Sequence, residues 1–171
     1  MISQTFHIIR YFDFGFDTLC FCYLKEGELK LTQHMAIMRH LARKFKLEGK
    51  TDVECAMVDM VSDQLGDIGA NLFGLCFNPN FSQQLLKEWV EAIGTFANGE
   101  SLKSKLDSLE RFVKKTGGDW FAGESLTFAD FKAWVVLDSH RLLVPGCLDG
   151  FDALERYFYF KLLNLVNGQD N

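Results

Sequence analysis

The sequence predicts a mostly helical α+β fold, in which a short β-containing N-terminal piece precedes about five helices. Three observations support this fold class. A strand-turn-strand pattern occurs only near the start of the chain, long stretches repeat apolar residues at helical spacing, and the 171 residues include only two prolines. Because proline removes a backbone donor and interrupts helices, its scarcity allows the helices to be long.

The first predicted elements are two short strands and a helix. Residues 18–30, "TLCFCYLKEGELK", alternate around a Glu-Gly turn, and "LTQH" (31–34) then leads into the amphipathic run "MAIMRHLARKF" (35–45). A junction of this kind can present helix-start amide groups and the Gln33 side chain to a ligand. The same pattern is equally compatible with an ordinary helix start, so the junction alone does not assign a site.

The longest predicted helix begins at a capping box, Thr51-x-x-Glu54, and ends at Asn78-Pro79-Asn80. Its side chains recur at three- and four-residue spacing, which predicts one apolar stripe. The stripe contains Met57, Met60, Val61, Gln64, Leu65, Ile68, Leu72 and Leu75.

Four further helices are predicted after this one. The first two span 82–97 and 101–115, stopped by Asn98-Gly99 and Gly117-Gly118. The third follows a second box-like cap, Thr127-x-x-Asp130, and runs to Pro145-Gly146; the last spans 151–166.

Composition and charge narrow the class of protein. A net charge of −5 with mixed signs argues against nucleic-acid and anionic-membrane partners. No apolar run approaches the roughly 18 residues of a membrane span, and the start lacks the pattern of a signal peptide. The five cysteines are scattered and odd in number, which suits a reducing cytosol. We therefore expect a cytoplasmic protein.

Two clusters of potentially reactive residues deserve separate interpretations. Cys20 and Cys22 share one face of a predicted strand, but a zinc site would need two further ligands that the sequence does not supply at suitable spacing. We expect no metal. Asp59, Asp63 and Asp67 recur every four residues on one helix face. They could form an acid–base pair, although a solvated or interface-facing row is the more common use of this pattern.

A resemblance to a known family extends this interpretation. The stretch "LTQHMAIMRHLARKFKLEGKTDVECAMVDMVSDQLGDI" resembles the cytosolic glutathione transferases, and "LCFNPNF", "DWFAGESLTFADF" and "PGCLDGFDAL" resemble their mu class. The resemblance runs from about residue 12 to residue 157. It implies a thioredoxin-like glutathione-binding domain at 1–46, truncated relative to the family, and an all-helical domain at 51–171 that lacks the family's C-terminal tail.

The resemblance also implies an activity and an assembly. Members of the family work as dimers that join glutathione, a substrate and not a cofactor, to hydrophobic electrophiles. In them, the glutamine of the strand-to-helix turn and the residue after it hold the γ-glutamyl end of glutathione. These positions correspond here to Gln33 and His34. An acidic residue of the partner subunit receives the γ-glutamyl ammonium, and it corresponds to Asp67.

Other positions depart from the family pattern. Phe21 and Cys22 stand where the mu class has leucine and a cis-proline beside the glutathione cysteine. His7 and Tyr11 stand where a tryptophan and a lysine contact the glycine carboxylate. The tyrosine that stabilises the glutathione thiolate has no counterpart in this sequence.

Two further departures concern the dimer and the electrophile pocket. Thr18 replaces a phenylalanine that inserts into the neighbouring subunit, and Phe77 replaces a tyrosine beside the electrophile pocket. The resemblance nevertheless implies a glutathione transferase that conjugates reduced glutathione to hydrophobic electrophiles. The alternative is a catalytically impaired or incomplete relative that at most binds glutathione or apolar ligands and dimerises.

Overall fold

A computed structural model describes residues 23–91 and 102–162, and the chain divides into two compact units, Met1–Glu48 and Gly49–Asn171. The first unit contains the predicted hairpin and helix. Strands β1 (Tyr23–Glu26) and β2 (Leu29–Thr32) pair antiparallel. Their two-residue turn places Gly27 at φ 58°, a conformation that glycine adopts at low cost.

Helix α1 (His34–Phe45) follows β2 after one residue. It ends at Lys46, whose left-handed conformation (φ 57°) lets the Leu47 amide donate to the Ala42 carbonyl at 2.8 Å. This arrangement satisfies carbonyl groups that the end of a helix would otherwise leave without partners. The helix contacts both strands, so the described part of the first unit is a hairpin with one helix packed on it.

The second unit begins with the long helix α2 (Asp52–Cys76). The Thr51 hydroxyl accepts from the Glu54 amide at 3.2 Å, as the capping pattern predicts. The Glu54 carboxylate, however, accepts from the amide of Lys50 at 2.6 Å. Both bonds satisfy backbone N–H groups at the helix start or just before it.

The buried face of α2 differs in part from the predicted stripe. It is formed by Val58, Val61, Ser62, Leu65, Ile68, Leu72 and Leu75. Met60, a member of the predicted apolar stripe, is 56% exposed and lies outside this buried face. The early turns of α2 carry apolar residues on two adjacent faces, and spacing alone favours neither; packing selects the face that contains Val58.

The remaining described elements are helical. They are α3 (Gln83–Glu91), α4 (Leu102–Thr116), α5 (Phe128–Leu143) and α6 (Asp152–Arg156), which continues as a π-helical segment, Tyr157–Leu162. The ends of the predicted helices 82–97 and 151–166 lie outside the described residues. The mostly helical fold class with a small β-containing N-terminal part is confirmed.

Helices α2 and α5 pack closely through two glycines of α2. A Cβ atom on Gly66 would lie 3.0 Å from Nζ of Lys132, and one on Gly69 would lie 3.4 Å from Cγ2 of Val136. Gly66 faces Lys132, and the later residue Gly69 faces the later residue Val136. The sequence numbers increase in the same direction along both helices, so α2 and α5 run parallel at this contact. The core of the unit forms around them and contains Leu65, Ile68, Leu106, Leu109, Phe121, Ala133, Leu137, Leu154 and Phe158.

The start of α5 is organised by the fully buried carboxylate of Asp130. Thr127 and Asp130 form the predicted capping box. The Thr127 amide and hydroxyl donate to Oδ2 of Asp130 at 2.7 and 3.1 Å, and the Phe121 amide donates to Oδ1 at 2.7 Å. One side chain therefore fixes both the helix start and the loop before it.

A second buried carboxylate, that of Glu110 on α4, caps α6. It accepts from the amides of Ala153 and Leu154 at 3.0 and 2.9 Å and from Nζ of Lys114 at 2.8 Å. Burial, the largest single influence, raises the pKa of Glu110, but the bonds from Lys114 and the two amides together outweigh it and lower the pKa. The charged form is therefore favoured at the α4–α6 contact.

Within residues 23–91 and 102–162, no helix is long and apolar enough to cross a membrane.

Candidate functional site

The residue between β2 and α1, Gln33, has an unusual backbone conformation. Its φ of 69° and ψ of 111° are rare for a residue with a side chain. Such a conformation costs on the order of 1–3 kcal/mol and persists where the surrounding structure enforces it, often at ligand-binding sites. Its carbonyl accepts from the Ile37 amide at 3.0 Å, so the helix begins at this residue.

The charge along α1 is of one sign. The helix contains no acidic residue, its first residue is the exposed His34, and Arg43 and Lys44 lie in its last turn. The N-terminal end of a helix carries the positive end of the helix dipole. Because no acidic side chain of α1 opposes that charge, the Gln33–His34 corner suits a carboxylate ligand.

A charged cluster connects α1 with the hairpin. It lies away from the Gln33–His34 corner, because its helix residues are six or more positions further along the chain. Nε2 of His40 lies 3.0 Å from Oε2 of Glu26, and Nζ of Lys44 donates to Oε1 of the same carboxylate. Sequence reasoning missed Glu26. The four-residue spacing of His40 and Lys44 shows that they share a face of α1, but the sequence does not show that this face meets the end of β1.

Asp67 lies on the exposed surface of α2, one helical turn after Asp63. The 25 residues of α2 include five acidic residues and no lysine, arginine or histidine. An exposed carboxylate in such a row can receive an ammonium group. Among the described residues, no group of three or more histidine, cysteine, aspartate or glutamate side chains could hold a metal ion.

Phe77 caps the end of α2 and is 73% exposed. Its ring stacks on that of Phe73, with centroids 5.4 Å apart and an interplanar angle of 20°. Phe73 is itself 65% exposed. The pair forms an apolar surface at the end of the helix. Sequence reasoning named Phe77 alone, although the four-residue spacing of the two rings indicates that they are neighbours.

The predicted site residues are only partly brought together within the described part of the chain. Gln33 and His34 form one corner in the first unit. Asp67 and Phe77 are ten residues apart in the second unit, which is about 15 Å along a helix. The other predicted site residues, His7, Tyr11, Phe21 and Cys22, lie outside the described residues, as do Thr18 and Cys20.

Comparison with known proteins identifies relatives of this chain. A family model described as "Glutathione S-transferase, C-terminal domain" matches residues 82–165. The chain is 39% identical over 146 residues to glutathione S-transferase Mu 1 of Oryctolagus cuniculus, covering 85% of this chain and 62% of that protein. It is 39% identical over 144 residues to glutathione S-transferase 2 of Gallus gallus, covering 78% and 60%. The chain thus spans about three fifths of these relatives.

Solved structures show the same fold. The glutathione S-transferase Blo t 8 aligns with a TM-score of 0.73 at 27% identity, covering 91% of this chain and 70% of that one. A pi-class enzyme of Onchocerca volvulus aligns with a TM-score of 0.71 at 24% identity, covering 87% and 70%, and supports the fold alone. The chain belongs to the glutathione transferase family. Its sequence is similar to the mu class, which confirms the resemblance predicted from the sequence.

Proposed function

We propose that the protein binds glutathione at the Gln33–His34 corner and, as a dimer, transfers it to hydrophobic electrophiles. The observation that carries this proposal is the strained backbone of Gln33 at the start of a helix without acidic residues. The γ-glutamyl end of glutathione has one carboxylate and one ammonium group. The carboxylate is attracted by the helix start. The Gln33 amide group can donate to the carboxylate and accept from the ammonium.

The ammonium group needs an acidic partner, which α1 does not provide. Asp67 is exposed and belongs to the acidic row of α2, so we assign this role to Asp67 of the partner subunit. The assignment follows the family pattern and requires a dimer. Glutathione is a substrate in this proposal, and neither a metal nor a resident cofactor takes part.

Charge complementarity supports pairing with a second copy of the chain. Each copy offers a basic helix, α1, and an acidic helix, α2. A twofold arrangement that brings α1 of one copy against α2 of the other satisfies both charges. The start of α2 also carries a shallow apolar depression lined by Asp52, Val53, Ala56, Met57 and Met60, which can supply apolar contact area.

The net charge of −5 favours neither nucleic acid nor an anionic membrane as a partner, and a cytoplasmic location fits the scattered cysteines.

The conjugation step itself requires a glutathione thiolate. Its sulfur attacks the electrophilic carbon, a carbon–sulfur bond forms, and the leaving group departs with the electron pair of its broken bond. A free thiol has a pKa of about 8.5, and lowering it by two units requires about 2.7 kcal/mol of preferential thiolate stabilisation. A hydrogen bond donated to the sulfur would supply part of this stabilisation, and His7 and Tyr11 are the candidate donors.

The residue beside the sulfur gives a reason to expect slow turnover. Cys22 replaces the cis-proline of the mu class. A cis peptide bond costs roughly 2.5–4 kcal/mol before a residue other than proline, against about 0.5–1 kcal/mol before proline. From the sequence we expect a trans bond before Cys22, a position outside the described residues, and a trans bond would not suit the pairing that the family makes with the glutathione cysteine.

A second function, binding of apolar ligands without turnover, is favoured by the exposed Phe73–Phe77 pair. Phe77 has no hydroxyl group to assist a leaving group, whereas two stacked, exposed rings can bind a flat apolar molecule. Conjugation assays with glutathione and a chlorodinitrobenzene-type electrophile separate the two functions. Turnover above a protein-free blank supports the enzyme, while saturable ligand binding without turnover supports the binding protein.

Calorimetry with glutathione tests the binding site directly. We expect Gln33→Ala to weaken binding, because a charge-assisted hydrogen bond contributes roughly 1.5–3 kcal/mol. The matched control is Gln83→Ala, which removes the same side chain from the exposed first residue of another helix, α3. Equal loss of affinity in the two variants, or unchanged affinity in both, contradicts the assignment of the site to Gln33.

A further inference from the structure

We propose that Glu26 is a positioning residue, which ties α1 to the hairpin through His40 and Lys44 and thereby sets the geometry of the Gln33–His34 corner. The inference deepens the proposed function, because this corner is where the γ-glutamyl carboxylate of glutathione would bind. Glu26 does not contact the ligand in this proposal. It acts through the backbone of the corner.

The corner has no side-chain cap of its own. Gln33 occupies the position before the helix, where serine, threonine, asparagine or aspartate usually accepts from a helix-start amide. The Gln33 side chain makes no such capping bond. Its backbone is nevertheless held at φ 69°, a region that residues with a side chain rarely occupy. Contacts other than a side-chain cap therefore hold this conformation, and the contact between the hairpin and α1 at Glu26 is one of them.

The hairpin and the helix form the two sides of an angle whose vertex is Gln33. Thr32 pairs with Tyr23 next to the vertex, while Leu29 pairs with Glu26 at the turn end of the hairpin. Three residues of strand separate Leu29 from Thr32 by about 10 Å. Along α1, His40 lies six residues after His34, which is about 9 Å from the vertex. The two sides therefore have similar lengths.

The Glu26 carboxylate joins the far ends of these two sides. Oε2 lies 3.0 Å from Nε2 of His40, and Oε1 accepts from Nζ of Lys44. Both helix residues reach Glu26 only if α1 folds back along the strands. The backbone of Gln33 joins the strand and the helix at one end, and the Glu26 carboxylate holds them together at the other end. With both ends fixed, the direction of the first turn of α1 is fixed as well.

Both contacts of Glu26 are partly exposed to solvent, with side-chain exposures of 25–37%. Contacts of this kind are weakened by salt. Because such contacts are individually weak, their loss should loosen the Gln33–His34 corner without unfolding the second, helical unit.

The first test needs no ligand. The Ile37 amide donates to the Gln33 carbonyl, so its hydrogen exchange reports directly on the corner. We expect Glu26→Gln to accelerate exchange at Ile37 by about two- to fivefold, the range that a partly exposed ion pair supports. The control is Glu28→Gln, which removes the same charge from the exposed second residue of the same turn. Equal exchange rates at Ile37 in the two variants overturn the proposal.

The second test measures glutathione affinity by calorimetry in a double-mutant cycle. In the parent, Glu26→Gln should weaken glutathione binding by about two- to fivefold. In the Gln33→Ala background it should have no further effect. An equal loss in both backgrounds indicates a general structural effect and overturns the positioning role. Accelerated exchange at Ile37 together with a parent protein that binds no glutathione means that the proposed function fails, while Glu26 still sets the corner.

Discussion

The hydroxyl of Tyr157 donates a hydrogen bond of 2.5 Å to Oδ1 of Asp130, across 27 residues of sequence. The same carboxylate fixes the start of α5 and the loop at Phe121. The ring of Tyr157 also packs edge-on against Phe121, with centroids 5.1 Å apart. Three separate segments of the helical unit therefore meet at Asp130, and the predictions on stability depend on this contact.

Replacing Asp130 with alanine should destabilise the helical unit more than the loss of an ordinary helix cap, which costs about 0.5–2 kcal/mol. The substitution leaves the amides of Phe121 and Thr127 and the Tyr157 hydroxyl buried without this acceptor, and each such group costs about 1–3 kcal/mol. We expect a loss of at least about 2 kcal/mol in urea denaturation. Glu124→Ala, at an exposed acid in the same loop, is the control. A similar melting temperature for the parent and Asp130→Ala contradicts the prediction.

Replacing Tyr157 with phenylalanine should change how stability depends on pH. Burial, followed by the charge of Asp130 and their hydrogen bond, raises the pKa of Tyr157 far above its ordinary value of 10.0. Above pH 10 the unfolded chain releases this proton and the folded protein does not, so the free energy of unfolding falls as pH rises. Tyr157→Phe should lose about 1 kcal/mol at pH 7 and show a shallower decline above pH 10. Identical slopes in the two proteins would rule out this role.

Replacing Glu110 with glutamine should reduce the sensitivity of the protein to acid. The pKa of Glu110 is lowered in the folded state, so its stabilising contribution is present above the ordinary value of 4.5 and is lost as pH falls through the folded value. We expect Glu110→Gln to be less stable at neutral pH by roughly 1–3 kcal/mol and the difference from the parent to shrink below pH 4.5. Urea denaturation at both pH values measures it, and a constant difference would contradict the prediction.

The acidic row of α2 should govern dimerisation. We expect the protein to sediment as a dimer at low salt and to dissociate more readily at high salt, because exposed charges are screened. Asp63→Lys should weaken the dimer by reversing one charge of the row. Asp107→Lys makes the same change on α4 and serves as the control. A monomer at every salt concentration would remove both the dimer and the role of Asp67.

The local parts of the fold were predictable because they depend on neighbours in sequence. Gly27 marks the hairpin turn, Pro79 follows the end of α2, and Thr127 with Asp130 marks the start of α5. Tertiary contacts were not predictable in the same way. Nothing local indicates that the α5 cap also receives the Tyr157 hydroxyl, or that packing buries Val58 of α2 and leaves Met60 exposed.

The candidate site was predicted by resemblance more than by pattern. The residues 31–34 identify a strand-to-helix junction, but the positive φ of Gln33 is not encoded by a glycine and could not be read from the sequence. Glu26 was missed for a related reason. Its contacts with His40 and Lys44 depend on how α1 folds back on the hairpin, which no spacing reveals.

The contacts of Asp130 also carry a consequence for folding kinetics. Its bonds to Thr127 and Phe121 close loops of fewer than ten residues, whereas its bond to Tyr157 closes a loop of 27. Short loops close at a lower entropic cost, so the start of α5 should form early and the segment that carries Tyr157 should dock later. Asp130→Ala should therefore slow refolding, while Tyr157→Phe should chiefly accelerate unfolding.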